Sequence, residues 1–228
     1  MAGRRVSRDA PNLSPHWGQL IDILRRAKIS LVLDIGANVG QYATYLRQSG
    51  YGGRVVSFEP LAETWAALDA AAAGDPDWRA APRTAIGDAD GTVTVNRSAE
   101  SDMSSILPLD PGFLESSPSS AYVGQETVPV ARLDTVFGDH VRAGDRIFVK
   151  IDTQGYERQV LTGAAGVIDA IAGFQVEMSL VPLYDGEAMF DELMARMGDL
   201  GFVPHLLIPG YYSRHLGRML QVDGVFLR

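Results

Sequence analysis

The stretch LVLDIGANVG, residues 31–40, decides the fold of this chain. Its first five residues are apolar apart from Asp34, and two glycines follow at positions 36 and 40. A buried strand that runs into a glycine-rich turn and then a helix places backbone N–H groups beside a crevice, where open α/β sheets bind ligands. The stretch therefore predicts the first strand of such a sheet and a ligand at its carboxyl end.

The rest of the chain alternates between short β-rich runs and longer helical stretches. This alternation is typical of strands joined through crossover helices, so we predict an α/β fold with a doubly wound sheet. The predicted strands cover residues 31–35, 54–58, 81–86, 92–96, 126–133, 146–151, 174–178, 201–208 and 221–228. The predicted helices cover residues 17–28, 39–49, 61–73, 133–140, 155–171 and 187–200.

Length and composition indicate how many cores the chain can form. With 228 residues, of which 46% are hydrophobic, there is apolar material for one full core. We therefore predict a single domain over residues 1–228, with a flexible tail over 1–16 and an N-terminal helix within 17–30. The segment 100–125 is rich in turn formers, and we predict that it forms a substrate or lid loop.

Charge and residue usage exclude several classes of function. The formal net charge of −8 disfavours a nucleic-acid partner, and we interpret the few N-terminal arginines as a solvated tail. The absence of cysteine excludes disulfides, thiolate metal sites and a cysteine nucleophile. We find neither an apolar run of membrane-spanning length nor a secretory signal, so we expect a cytoplasmic protein without a membrane partner.

The turn after the first strand has a spacing of its own. It reads D-x-G-A-N-x-G rather than the G-x-G-x-x-G of dinucleotide sites, so it does not indicate a pyrophosphate. Gly36 permits a positive φ, Gly40 permits close helix packing or a close ligand, and Asn38 tolerates the left-handed region while offering an amide. Asp34, at the strand end, can accept hydrogen bonds or face a cation.

A second acid follows the next predicted strand. VVSFEP ends in Glu59, about twenty residues beyond the glycine turn, where a carboxylate accepts both hydroxyls of a ribose. Pro60 then stops the strand. An adenosine with a cationic amino-acid tail fits this set of residues. Glu59 would bind the ribose, the glycine turn would lie against the amino-acid portion, and a further acid would lie near the ammonium group. These features favour S-adenosylmethionine as the cofactor.

Four motifs in order carry a family resemblance: DIGANVGQYATYL, VVSFEP, AIGDADGTVTV and VKIDTQGYERQVLTGA. Over residues 30–206 the chain resembles the FkbM family of S-adenosylmethionine-dependent methyltransferases. The resemblance implies a class I methyltransferase fold, Rossmann-like, with a doubly wound seven-stranded sheet whose last strand is antiparallel and with helices on both faces. It also implies methyl transfer to a hydroxyl, often on a sugar or a polyketide-derived product.

Further cofactor contacts are expected beyond the first two motifs. Ile86, at the end of what we predict to be the third strand, can cover one face of the adenine, and Asp88 can reach its amino group. Residues 87–91, G-D-x-D-G, are also typical of an ordinary turn. Ser104 resembles the serine segment of the family, which closes over the cofactor; a loop serine is also often merely solvated.

The end of the fourth strand of the predicted sheet is where we expect catalysis. Asp152 ends FVKID there, facing the sulfonium as a base or metal ligand, and the resemblance supports its place in the site. Lys150 can orient Asp152, bind substrate or be a snorkelling edge lysine. Glu177, on the next strand, would share the crevice with Asp152, and two carboxylates on adjacent strand ends suit Mg²⁺. Alternatively, one of them is a base without metal.

The remaining expectations concern the acceptor. His205 can reach the mouth of the site, although a lone histidine is more often a surface or satisfied core residue. The aromatics and arginines of residues 209–218 indicate a lip on which a sugar can stack. We expect in-line transfer to a hydroxyl of a sugar, glycoside, polysaccharide precursor or other natural product, and a homodimer would be unsurprising. A nicotinamide-dependent oxidoreductase and a non-catalytic cofactor-binding module remain alternatives.

Overall fold

The computed structural model describes residues 15–99 and 101–228. Residues 1–14 of the predicted tail, with their arginines, and residue 100 of the predicted loop lie outside this range. Residues 15 and 16, which we assigned to the tail, begin the first helix. In the described part of the chain, none of the helices combines the length and apolarity needed to cross a bilayer.

Strands and helices alternate as the sequence predicts. The strands are β1 (Leu31–Ile35), β2 (Arg54–Phe58), β3 (Trp78–Ala80), β4 (Ala85–Gly87), β5 (Gly91–Ser98), β6 (Tyr122–Arg132), β7 (Ile147–Ile151), β8 (Ile171–Ser179), β9 (Val203–Pro209), β10 (Tyr212–Ser213), β11 (Arg218–Met219) and β12 (Gln221–Leu227). The α-helices are α1 (Pro15–Arg26), α2 (Gln41–Gln48), α3 (Ala62–Ala72), α4 (Pro111–Ser116), α5 (Leu133–Val136), α6 (Glu157–Gly163) and α7 (Phe190–Asp199). Short 3₁₀ helices cover Ser101–Met103, Pro118–Ser120, Phe137–Asp139 and Ala165–Ala170.

The main sheet has seven strands in the order β3-β2-β1-β7-β8-β12-β9. The pairs of β1 with β2 and β7, of β2 with β3 and of β7 with β8 are parallel, whereas β12 runs antiparallel to both β8 and β9. The doubly wound sheet with an antiparallel last strand is thus confirmed. Since β12 runs antiparallel to the other strands, it begins at the sheet edge where the parallel strands end.

Each face of the sheet is covered by a separate apolar layer. One layer joins residues of α5, α6 and α7 to the sheet, and the other joins residues of α1, α2 and α3. The central strands β1 (LVLDI) and β7 (IFVKI) are buried at every position, as expected for parallel strands covered on both sides. Their two charged residues, Asp34 and Lys150, are register partners in the middle of the sheet.

The third strand of the main sheet is β3, and the predicted strand over residues 81–86 was wrong. Ala81 donates its N–H to the carbonyl of Ser57, and this is the last hydrogen bond of the ladder with β2. The chain leaves the sheet there, and β4 joins a separate three-stranded sheet of order β4-β6-β5. Ile86 therefore belongs to this smaller sheet and does not end the third strand of the main one.

The segment after β5 is more ordered than its turn-rich sequence indicated. It contains α4, which Asp110 caps by accepting the N–H of Phe113 at 3.0 Å. Met103, Leu109 and Phe113 pack with Tyr184 in a small apolar cluster. This cluster fixes the segment against the carboxyl end of the main sheet.

Candidate active site

A cavity of about 500 Å³ lies at the carboxyl ends of the parallel strands. Its volume is within the range of about 300–1,000 Å³ that small-molecule and cofactor sites occupy. Residues after β1, β2 and β7, on β8 and at the start of β12 line it, together with α1, α2 and the segment after β5. The cavity is therefore where the topology predicts a ligand.

The turn after β1 brings backbone close to the end of β7. Gly36 has φ 77°, and a Cβ at this position would lie 1.7 Å from the carbonyl oxygen of Asp152. Asn38 also adopts the left-handed region, with φ 49°. Gly40, with φ 91°, lies instead against Trp78, whose ring a Cβ would meet at 2.7 Å. Gly36 and Asn38 thus line the cavity, while Gly40 serves helix packing.

Glu59 is fixed by backbone donors at the rim of the same turn. Its Oε2 accepts the N–H of Asn38 at 3.0 Å, and its Oε1 accepts the N–H of Leu61 at 2.9 Å. Burial raises the pKa of Glu59 to about 7, against the lowering effect of these two hydrogen bonds. A carboxylate offers about four acceptor positions, so roughly two remain for a ligand. This arrangement suits a pair of vicinal hydroxyls.

Asp34 faces a cation, but that cation is a side chain of the protein. Asp34 is fully buried, does not line the cavity, accepts a hydrogen bond from Ser57 Oγ at 3.1 Å, and has Oδ1 3.4 Å from Lys150 Nζ. The expected contact of Asp34 with the cofactor is corrected accordingly. A buried carboxylate needs a charge partner, and Asp34 has one in Lys150. Asp34 therefore forms an ion pair inside the sheet and does not face the ligand.

Lys150 is a buried ammonium and not a snorkelling edge lysine. Its Nζ donates to the carbonyl oxygen of Gly36 at 3.1 Å and lies 3.3 Å from Asp152 Oδ2. Burial alone would lower the pKa of Lys150, but the carboxylates of Asp152, Asp34 and Asp223 raise it above its ordinary value. The lysine therefore stays protonated and orients both the glycine turn and Asp152.

Gln154 joins the two carboxylates that the sequence singled out. It lies in the turn after β7 with φ 54°, and its Nε2 donates to Asp152 Oδ1 at 2.7 Å and to Glu177 Oε2 at 2.8 Å. Its Oε1 accepts the hydroxyl of Tyr184 at 2.6 Å. Asp152 and Glu177 thus meet as predicted, through an amide that the sequence analysis missed.

The predicted magnesium site does not fit this arrangement. The space between Asp152 and Glu177 holds the NH₂ group of Gln154, which is a donor and not a cation ligand. Magnesium requires a near-octahedral set of oxygen ligands. Within residues 15–99 and 101–228, no group of three or more His, Cys, Asp or Glu side chains is placed to hold a metal. The donor set is therefore that of a hydrogen-bonded network.

Asp223 is a third acid of the cavity that the sequence analysis missed. It is the register partner of Glu177 across β12 and β8, and it accepts Gln175 Nε2 at 3.1 Å. Burial and the nearby Asp152 raise the pKa of Asp223 to about 6. Burial, with Asp152 and Asp223, raises the pKa of Glu177 well above its ordinary value. The sequence signal that could have indicated Asp223 is the position of an acid inside the predicted strand QVDGVF.

Aromatic rings from α1 and α2 form a further wall. The ring of Trp17 lies 5.6 Å from that of Tyr42 and 5.2 Å from that of Tyr45. The hydroxyl of Tyr42 donates to Gln175 Oε1 at 2.9 Å. Of the predicted lip over residues 209–218, Pro209 and Tyr211 line the cavity. Trp17 and the tyrosines of α2 were not singled out by the sequence.

Ile86 and Ser104 line the cavity as expected, whereas two predicted residues do not. Asp88 is exposed, and its carbonyl accepts a hydrogen bond from Arg132. His205 is exposed on β9 at a β-bulge, where β12 pairs with the residues on either side of it. Its Nδ1 lies 3.0 Å from the carbonyl oxygen of Val203, and the residue does not line the cavity. The positions of Asp88 and His205 correct the prediction that they act there.

Comparisons with known proteins identify the family. The sequence pattern of the methyltransferase FkbM domain matches residues 34–204. A putative methyltransferase from Thermobifida fusca YX is similar in structure (TM-score 0.51, 14% identity, 93% of this chain and 78% of that chain), as is an uncharacterized protein from Listeria monocytogenes serotype 4b (TM-score 0.52, 7% identity, 95% and 68%).

A magnesium protoporphyrin IX methyltransferase from Synechocystis PCC 6803 with bound SAM has a TM-score of 0.46 at 9% identity, over 99% of this chain and 86% of that chain. Likeness at such identities concerns the fold alone. A comparison with curated protein sequences gives no match. The family match covers most of the chain and includes the glycine turn, Glu59, Lys150, Asp152 and Glu177. The chain therefore belongs to the FkbM-domain family of S-adenosylmethionine-dependent methyltransferases.

Proposed function

We propose that this protein transfers the methyl group of S-adenosylmethionine to a hydroxyl of a sugar or a similar polyhydroxylated natural product. The carrying observation is that two chemically different groups of residues line one cavity, which we assign to a cofactor half and an acceptor half. The cofactor half contains Gly36, Asn38, Glu59, Ile86 and Ser104. The acceptor half contains the network of Asp152, Gln154, Glu177, Gln175, Gln221 and Asp223, with the rings of Trp17, Tyr42, Tyr45 and Tyr211.

The cofactor half suits a nucleoside with an amino-acid tail. Glu59 accepts the ribose hydroxyls with the lone pairs that its two backbone donors leave, and Ile86 covers the adenine. Because Gly36 lets the turn pack directly against the backbone of Asp152, the backbone of the glycine turn borders the cavity where the amino-acid portion would lie. Ser104, whose Oγ accepts the N–H of Ser98 at 3.1 Å, closes this half from the segment after β5.

The acceptor half suits a polyhydroxylated ring. Aromatic faces stack on the C–H surface of a sugar, while amides and carboxylates exchange hydrogen bonds with its hydroxyls. Here Gln221 Nε2 donates to Glu177 Oε2 at 2.7 Å, so that the amides of Gln154 and Gln221 hold the carboxylate from two sides. The rigid network would orient the acceptor before transfer.

The chemistry follows from the groups between the two halves. The acceptor oxygen attacks the methyl carbon in line, the carbon–sulfur bond breaks, and the hydroxyl proton passes to a carboxylate. Alignment of the two reactants can remove roughly 7–11 kcal/mol of barrier in favourable cases. Asp152 is our candidate base, since Lys150 stays protonated and holds it in place. A base within reach of the hydroxyl contributes further acceleration.

The test is calorimetric titration with the methyl donor, followed by transfer of a labelled methyl group to a panel of glycosides. We expect saturable binding and O-methylated products. Binding without transfer to any hydroxyl would favour a non-catalytic module. If a reduced nicotinamide cofactor binds in place of the methyl donor, as detected by its fluorescence, the result would favour an oxidoreductase. Transfer that persists after chelation would agree with the poor fit to magnesium.

A further inference from the structure

Carboxylates dominate the charge of the cavity. Of the described residues that line it, five are acids: Glu59, Asp102, Asp152, Glu177 and Asp223. Lys150 is the only lysine or arginine among these lining residues, and its ammonium is already shared between Asp34, Asp152 and the Gly36 carbonyl. S-adenosylmethionine itself brings one net positive charge. When these acids are ionised, binding of the cofactor therefore leaves the cavity with negative charge in excess.

The excess is concentrated in the acceptor half. Glu177 of β8 faces Asp223 across the β8–β12 ladder and is joined to Asp152 through Gln154. The charged and titratable groups around Glu177 are Lys150 of β7, Asp152 directly after that strand, Asp223 of β12, Glu157 of α6 and Tyr184. Burial and the repulsion between these acids raise the pKa of Glu177 and Asp223, as expected where a counter-ion is missing.

The aromatic wall beside this cluster also suits a cation. The Tyr42 ring already lies 5.4 Å from Lys150 Nζ, but the neighbouring rings of Trp17 and Tyr45 carry no such contact among the described residues. A ring face attracts an ammonium group within about 6 Å. Trp17, Tyr211, Gln221 and Asp223 lie outside the residues that match the family, 34–204. These four residues of the acceptor half are therefore not part of the matched pattern.

We propose that the acceptor is an amino sugar or a similar amino alcohol, whose protonated amine lies between Asp223, Glu177 and the rings while its hydroxyl receives the methyl group. This proposal rests on the proposed function. In the reaction, the O–CH₃ bond forms as the S–CH₃ bond breaks, the hydroxyl proton passes to Asp152, and the cofactor leaves as a neutral sulfide. The amine keeps its proton and binds without reacting.

The first test compares matched acceptors in the holoenzyme: alkyl glycosides of the same hexoses with a free amine, an acetylated amine, a hydroxyl at that carbon, or a uronic acid. We expect a KM for the amine at least roughly tenfold below that of the hydroxyl compound, with the uronate poorest. If the neutral glycoside is methylated equally well, the amine proposal fails and the function stands. If no glycoside is methylated although the cofactor binds, the proposed function fails, and the amine proposal with it.

The second test removes one charge of the cluster. In Asp223→Asn, the KM for the amine acceptor should rise roughly tenfold more than the KM for the neutral glycoside does. Asp199→Asn, at an exposed position on α7, is the matched control and should change neither. Equal losses for both acceptors would mean that Asp223 only maintains the site, and would contradict the proposal.

Proton release on binding gives a readout on the unmodified protein. A bound ammonium favours the ionised carboxylates, so near pH 6 the amine acceptor should release protons when it binds with the demethylated cofactor. Calorimetry in two buffers of different ionisation enthalpy measures the number of protons released per acceptor bound. The neutral glycoside should release none. Equal proton numbers for the two acceptors would overturn the proposal.

Discussion

The two halves of the cavity are assembled in different ways. Most of the cofactor half comes from chain segments that directly follow β1 and β2, and Ile86 of β4 and Ser104 complete it. It relies on backbone, because Gly36 has no side chain and Glu59 is held by two N–H groups. The acceptor half is made from side chains of α1, α2, β8 and β12, of the turn after β7 and of the segment after β9. Backbone turns leave a local signature in the sequence, whereas convergence of distant side chains does not.

Asp152 lies where the halves meet, and its loss should have the largest effect. Asp152→Asn removes the candidate base but keeps the volume, so turnover should fall by about 10²–10⁴-fold while cofactor affinity stays within about threefold. Asp199→Asn is the control. Single-turnover transfer of labelled methyl measures the step. Wild-type turnover in Asp152→Asn would show that the base is elsewhere in the acceptor half.

Lys150 links both halves, because its ammonium contacts Gly36, Asp34 and Asp152. Lys150→Met leaves Asp34 buried without its counter-ion, and breaking such a pair costs about 3–5 kcal/mol. We expect a loss of this size in the free energy of unfolding, measured with denaturant. Lys150→Met combined with Asp34→Leu should recover much of it. If Lys150→Met alone has wild-type stability, the ion pair does not hold the halves together.

Glu59 tests the cofactor half alone. Glu59→Gln replaces one carboxylate oxygen by an NH₂ group, which cannot accept from both Asn38 and Leu61. Hydrogen bonds to charged groups contribute about 1.5–3 kcal/mol, so cofactor affinity should weaken by roughly 10–100-fold. Glu63→Gln, on an exposed side chain of α3, is the control. Unchanged affinity in Glu59→Gln would place the ribose elsewhere.

The smallest expected effect is on the pH dependence of stability. Burial raises the pKa of Glu59 and Glu157 to about 7, and burial with Asp152 raises that of Asp223 to about 6. The native state therefore holds protons that the unfolded state has lost, so these groups make the protein less stable as pH rises from about 5 to 8. His140, whose pKa burial lowers, acts in the opposite direction. Thermal denaturation at several pH values should show that the melting temperature of Asp223→Asn falls less steeply with rising pH than that of the wild type. Identical slopes would contradict this prediction.

The fold and the cofactor half were largely predictable because their signals are local. The apolar strand before Asp34, the glycine at position 36 and the acid at 59 lie within one β-α-β unit, and chain order fixes their neighbourhood. Asp152 and Glu177 could be placed together because adjacent parallel strands end at one edge. The strand over residues 81–86 failed because the ladder with β2 ends at Ala81 and residues 85–87 pair with β6 instead, which propensity alone does not reveal.

The acceptor half was mostly missed for a physical reason. Gln154 reaches both carboxylates because the turn after β7 adopts a positive φ, and Asp223 enters because β12 is antiparallel and begins at the site edge. Neither position in the site can be predicted from the residue pattern of a short sequence window. His205 was placed in the site from its position near a strand end, but a one-residue bulge in β9 left it exposed.

The most direct test is the structure of the complex with the demethylated cofactor, determined by crystallography. We predict that both ribose hydroxyls lie within hydrogen-bonding distance of the Glu59 carboxylate, that the adenine packs on Ile86, and that the sulfur faces Asp152 and the carboxylates of β8 and β12. A nucleoside bound away from Glu59, or with its sulfur turned from Asp152, would contradict the division of the cavity into these two halves.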